Sequence, residues 1–151
     1  DGSGYKGGIG AAAVLIRDGQ EPRKLRYHLG PNDEHTVYEA ETLGLTLAAR
    51  LLATERNVTY PVSILLDNQA AIKCGTRTNK DSSDYIPGKF KNMVKHLSKR
   101  RNEQGDFDLT IRWIPGHENV AGNEFADQEA KLAAEGPHRN SSNRHLPKYL
   151  Q

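Results

Sequence analysis

The chain has 151 residues, 36% of them hydrophobic and 26% charged, a composition that fits one soluble globular domain and excludes a disordered chain. The longest apolar run, Ala11 to Ile16, is too short to cross a bilayer, and no basic N-terminus leads into an apolar stretch; the single Cys74 excludes an internal disulfide and disfavours a thiolate zinc site. The net charge of +2 hides an asymmetry: Lys89, Lys91, Lys95, Lys99, Arg100 and Arg101 supply +6 with no acid among them, so a mildly acidic body carries one basic segment.

In chain order, Asp1-Gly2-Ser3-Gly4 reads as the end of a strand and its turn, as though the strand began upstream of Asp1. Ile9 to Ile16 is a short apolar strand stopped by Asp18-Gly19, and Lys24 to Leu29 alternates as its hairpin partner. Thr36 to about Thr54 has apolar residues at helical spacing, with Thr36 in N-cap position. Val62 to Leu66 predicts a buried strand ending at Asp67. A short helix over Asn68 to Cys74 and a polar loop over Thr76 to Tyr85 follow. Pro87 to Glu103 predicts a helix that carries the basic cluster, Phe107 to Ile114 a strand, and Gly122 to Glu135 a final helix. From Gly136 onward, prolines and polar residues predict a tail or linker. This order implies an α/β domain, with a mixed sheet and helices on both faces.

Residues 2 to 7 match G-x-G-x-x-G, but a strand rather than a helix follows, so a Gly-rich hairpin is expected instead of a dinucleotide site. The acidic residues say more. Glu39 and Glu41 lie about 200° apart on a helix, so only one can face the sheet. Glu41 shares the row of Val37, Leu45, Ala48 and Leu52, whereas Glu39 falls with Thr42 and Thr46. A carboxylate on an apolar stripe needs a partner, either a salt bridge or a metal. Asp67 ends a strand, where open α/β sheets place ligands, while Asp127 sits early in the last helix and Asp1 beside the first turn. Each could alone be a cap or turn residue. Together with Glu41 they suggest convergence, and four carboxylates in one pocket call for a hard cation such as Mg²⁺ or Mn²⁺.

The segments Asp1-Gly2-Ser3-Gly4, Ala40-Glu41, Asp67-Asn68-Gln69 and Trp113-Ile114-Pro115-Gly116-His117, the last leading to Gly122-Asn123-Glu124-Phe125-Ala126-Asp127, resemble the motifs of type 1 ribonuclease H in family order. The last motif is the most specific. Its wording and the Ala-Glu pair look most like the domains carried by retrotransposon reverse transcriptases of non-LTR type. The resemblance implies a ribonuclease H domain over residues 1–135 with a five-stranded mixed sheet. It implies endonucleolytic hydrolysis of the RNA strand of RNA/DNA hybrids to 5′-phosphate and 3′-hydroxyl ends. It transfers Asp1, Glu41, Asp67 and Asp127 as ligands of two Mg²⁺ ions, for which Mn²⁺ can substitute, one activating the attacking water and one stabilising the leaving 3′ oxygen. His117 matches the family's mobile histidine, which aids proton transfer or product release.

For substrate, the resemblance points to Gly2, Ser3 and Gly4 backbone amides and to Thr36 at a DNA-strand phosphate, where a helix cap is equally credible. It also points to Gln69 in the minor groove and Asn123 near the RNA backbone. Val37 and Tyr38 depart from the polar amides of cellular enzymes, and the basic, tryptophan-rich protrusion of those enzymes is not recognisable. The basic helix, through Lys89, Lys95, Lys99 and Arg100, is expected to grip phosphates in its stead. The partners implied are an RNA/DNA hybrid and a reverse transcriptase in the same polyprotein, the isolated domain being monomeric and intracellular, cytoplasmic or nuclear. The rival expectation is a non-catalytic nucleic-acid-binding domain of the same fold. A DNA-cutting integrase relative fits the closing motif less well.

Overall fold

A computed structural model describes residues 1–66, 87–100, 105–114 and 121–151. Strands β1 (Gly2–Tyr5) and β2 (Gly8–Leu15) form an antiparallel hairpin with Gly2 opposite Ala11 and Tyr5 opposite Gly8. Its two-residue turn, Lys6 and Gly7, has φ of 48° and 83°, the left-handed geometry that matches the twist of paired strands. The glycine pattern at residues 2 to 7 is thus a hairpin, as the strand following it requires. β2 then pairs antiparallel with β3 (Arg23–Pro31), with a bulge at Ile9/Gly10.

Helix α1 (Val37–Ala53) starts where Thr36 accepts a hydrogen bond from the Glu39 amide at 3.1 Å, the cap its position predicts. Its C-terminal carbonyls face two guanidinium groups. Arg23 donates to Leu51 O, and Arg100 donates to Leu52 O and, at 2.7 Å, to Ala53 O. Positive charge there complements the helix dipole. Strand β4 (Val62–Leu66) pairs in parallel with β5 (Leu109–Trp113), Val62 opposite Leu109. Helix α2 (Pro87–Ser98) packs Phe90 against Leu45, Ala49 and Leu66. It stops five residues before the predicted end: Lys99 and Arg100 amides close onto His96 O and Leu97 O, and the Arg100 side chain turns to α1.

Helix α3 (Ala121–Ala134) lies across β2 and β3. Ala130, Ala133 and Ala134 are buried there, and a Cβ on Gly10 would run into the backbone of Ala133 and Ala134. Small residues on both sides set this close approach. Glu129, an acid the sequence pattern leaves unremarked, is buried at the same interface between Lys24 (3.2 Å) and Arg26 (3.0 Å).

The structure bears on two further expectations. The resemblance predicts a five-stranded sheet, but the described strands form one ladder in the order β1-β2-β3 and a separate β4-β5 pair. The β1–β2 pairing includes Asp1, which exchanges backbone bonds with Ala12 at 2.7 and 2.9 Å. Residues 136–151, expected as a tail or linker, are docked on the domain. The Ser141 amide donates to Arg26 O, the Arg26 amide donates to Ser141 Oγ, and the His28 amide donates to Asn140 Oδ1, so this segment covers the free edge of β3. Leu146 then inserts, fully buried, beside Leu47, Leu51 and Leu25.

The predicted helix over 68–74 and loop over 76–85 lie outside the described residues.

Candidate active site

A cavity of about 300 Å³ opens between the two ladders. Its walls are the end of β2, the whole of β4, the sheet-facing side of α1 and the start of α3. Asp1, Glu41 and Asn123 are the polar side chains of the expected site that line it.

Glu41 reaches this wall because it shares α1's inward row with Leu45 and Leu52, and it is only 4% exposed. Glu39, on the other row, is half-buried and bonded to His35 at 3.0 Å. The periodicity therefore separates the two acids correctly. Asp1 comes to the same place because the chain crosses α1 at Gly44, one turn beyond Glu41. A Cβ at Gly44 would lie 2.7 Å from the Asp1 nitrogen, so only glycine admits the crossing. The Asp1 carboxylate is steadied by the Gly2 amide, which donates to Oδ1 at 2.9 Å. Asp1 and Glu41 thus line one cavity, and hard oxygen donors of this kind suit a divalent cation.

The remaining carboxylates stand differently. Asp67 directly follows Leu66, the last cavity-lining residue of β4, but it lies outside the described residues, as do Gln69 and His117. Asp127 follows the lining residue Ala126 on α3, yet its carboxylate is half-exposed and bonded to Lys131 at 2.9 Å. That hydrogen bond, reinforced by charge, holds the Lys131 ammonium above its ordinary pKa. Among the described residues, no three His, Cys, Asp or Glu side chains form a metal-binding group. The structure thus brings Asp1 and Glu41 together and leaves Asp127 paired on its own helix. The i, i+4 spacing of Asp127 and Lys131 is the signal that finds this pair in the sequence. Gly44, equally unremarked, is legible only once the crossing strand is known.

A profile of the RNase H family matches residues 1–135. The chain belongs to the RNase H family. Comparison with curated proteins gives no match. The ribonuclease H match ends one residue before the docked C-terminal segment begins.

The other substrate candidates of this ribonuclease H domain divide by environment. Gly2 and Ser3 are buried, Gly2 against Ala40 and Glu41 of α1, and only Gly4 is exposed. Thr36 serves as the α1 cap. Lys95 on α2 and Lys99 just past its end are exposed, and Lys89 stands 3.3 Å over the centre of the Tyr149 ring. Arg100 is the exception within the basic cluster: half-buried, its guanidinium is directed to the Leu52, Ala53 and Glu55 carbonyls, so its first job is to cap α1.

Proposed function

We propose that this domain hydrolyses the RNA strand of RNA/DNA hybrids endonucleolytically, in a divalent-metal-dependent reaction that leaves 5′-phosphate and 3′-hydroxyl ends. The observation that carries the reading is the meeting of Asp1 and Glu41 in one cavity of a chain that belongs to the RNase H family. Asp1, Glu41, Asp67 and Asp127 are the residues that would hold Mg²⁺ or Mn²⁺, which when bound supplies charge neutralisation at the attacked phosphate and a more acidic water. Before that, the protein's own task is positional. Buried Glu41 is held by the helix, and Asp1 by the Gly2 amide and the Ala12 ladder bonds. For Asp127 to join them, its carboxylate must leave Lys131. His117 is assigned the proton-handling role at the leaving oxygen, and Gln69, Asn123 and the Gly4 backbone the contact with the hybrid.

The family's five-stranded sheet belongs to the same proposal. Ala13, Val14 and Leu15 of β2, Ile16 just past its end, and Val62 to Leu66 of β4 all line the cavity, and the Asp1 nitrogen already takes the ladder position opposite Ala12. An extended segment continuing β1 backwards from Asp1 would pair with both edges and join the two ladders. Membership of a non-LTR-type retroelement polyprotein, beside a reverse transcriptase and within the cell, completes the reading and rests on the motif wording alone.

The test is cleavage of a hybrid labelled on its RNA strand in Mg²⁺, Mn²⁺ or EDTA, with the product ends mapped. Metal-dependent cutting that leaves 5′-phosphates supports the proposal. A folded protein that binds the hybrid and never cuts it supports the binding-domain alternative.

A further inference from the structure

We propose that the docked segment 136–151 is the second half of a polyanion-binding surface whose first half is α2, and that the surface takes the phosphate backbone of nucleic acid. The inference rests on the nuclease reading for its choice of polyanion, and on separate residues for everything else. Sequence supplies the charge: neither 87–100 nor 136–151 contains an acidic residue. Lys91 and Lys95 on α2 and Lys99 just past its end recur at four-residue spacing, and all three are exposed. On the docked segment, Arg144 and Lys148 are exposed. None of these five has an acidic partner among the described residues.

Structure supplies the rigidity that turns loose cations into a surface. Leu146 is buried in the core, Arg50 of α1 donates to His145 O at 3.2 Å, and Gln151 folds back to donate to Leu146 O at 2.7 Å. Tyr149 joins the two halves: Lys89 of α2 rests on its ring face, 3.3 Å from the ring centre. A backbone anchored in this way has little conformational entropy left to lose when its cations meet phosphates. The same anchoring argues against an anionic membrane. A membrane-surface segment keeps its apolar side outward, whereas here Leu146 and Pro147 are buried and Leu150 packs against the core.

The experiment is fluorescence anisotropy of a labelled RNA/DNA hybrid in EDTA, so that no strand is cut, over a series of salt concentrations. The full chain is compared with the Arg144→Ala/Lys148→Ala variant, with melting temperatures measured alongside. The expected result is an unchanged melting temperature with a salt slope reduced by about 1.8, roughly 0.9 for each lost phosphate contact. The charge-reversed variant Arg144→Glu/Lys148→Glu should weaken binding further. An unchanged slope in both folded variants overturns the inference, as does a loss of binding seen only on phosphatidylserine vesicles. A wild-type protein that binds with the expected slope change yet never cuts would sink the nuclease reading and leave this surface standing.

Discussion

Glu41 shows how one residue position carries a functional argument. It lies among apolar neighbours on α1, where an acid costs free energy unless its charge is used. Glu41→Gln keeps the size and removes the charge, so it should leave folding and hybrid binding near wild-type. Losing an outer-shell partner of a metal costs about 10–100-fold, so loss of a direct ligand should lower hydrolysis by at least about 10²-fold. Rate measurement beside anisotropy checks this, and a parallel loss of binding would point to a structural carboxylate instead. Tyr149 gives a second prediction, in pH. Partial desolvation of its half-exposed ring, against the opposing influence of Thr46, raises its pKa in the folded state above the ordinary value of about 10. The neutral phenol is the form the fold favours, so its contribution is intact below pH 10 and fades as pH rises through the folded pKa. Tyr149→Phe cannot ionise. Denaturant titrations at pH 8 and pH 11 should show wild-type losing more stability than the variant across that interval; equal losses would remove the phenol from the account.

At the scale of elements, the basic helix and the docked segment separate what sequence can tell from what it cannot. The 3.6-residue period fixed α1, its cap and the inward row of Glu41, because those depend on neighbours three and four residues away. The basic run reads as one face, but Arg100 falls after the last helical turn, and its direction depends on where α1 ends in space. Arg100→Ala should therefore destabilise the protein by about 1 kcal/mol or more, through uncapped carbonyls. Lys95→Ala/Lys99→Ala should instead lower the salt slope of hybrid binding with little change in melting temperature. The opposite assignment of effects would restore the whole run to a single role. Leu146 is illegible for a related reason: its partners Leu25, Leu47 and Leu51 are about a hundred residues away in the chain. Leu146→Ala should cost about 2–5 kcal/mol, as for other core leucines, measured by denaturant unfolding. A cost below about 1 kcal/mol would mean that the segment is not held there.

For the whole molecule, the two ladders and the cavity between them decide how the site is built. The carboxylates Asp1 and Glu41 sit where β1 crosses α1, and the cavity continues from that crossing between β2 and β4. The motif order made the family legible from sequence alone, since each motif is local. The joining of the sheet is not local and was not. If an extended segment ahead of Asp1 completes it, adding an apolar strand of five or six residues there should raise the melting temperature and protect the Ala13 to Leu15 and Val62 to Leu66 amides from hydrogen exchange. The central claim is hydrolysis specific to a hybrid. The most direct measurement incubates the protein and Mg²⁺ with an RNA/DNA hybrid, single-stranded RNA and duplex DNA of one sequence. Cutting of the RNA strand in the hybrid alone, abolished by EDTA, is the predicted result; cutting of all three, or of none by folded protein, would contradict it.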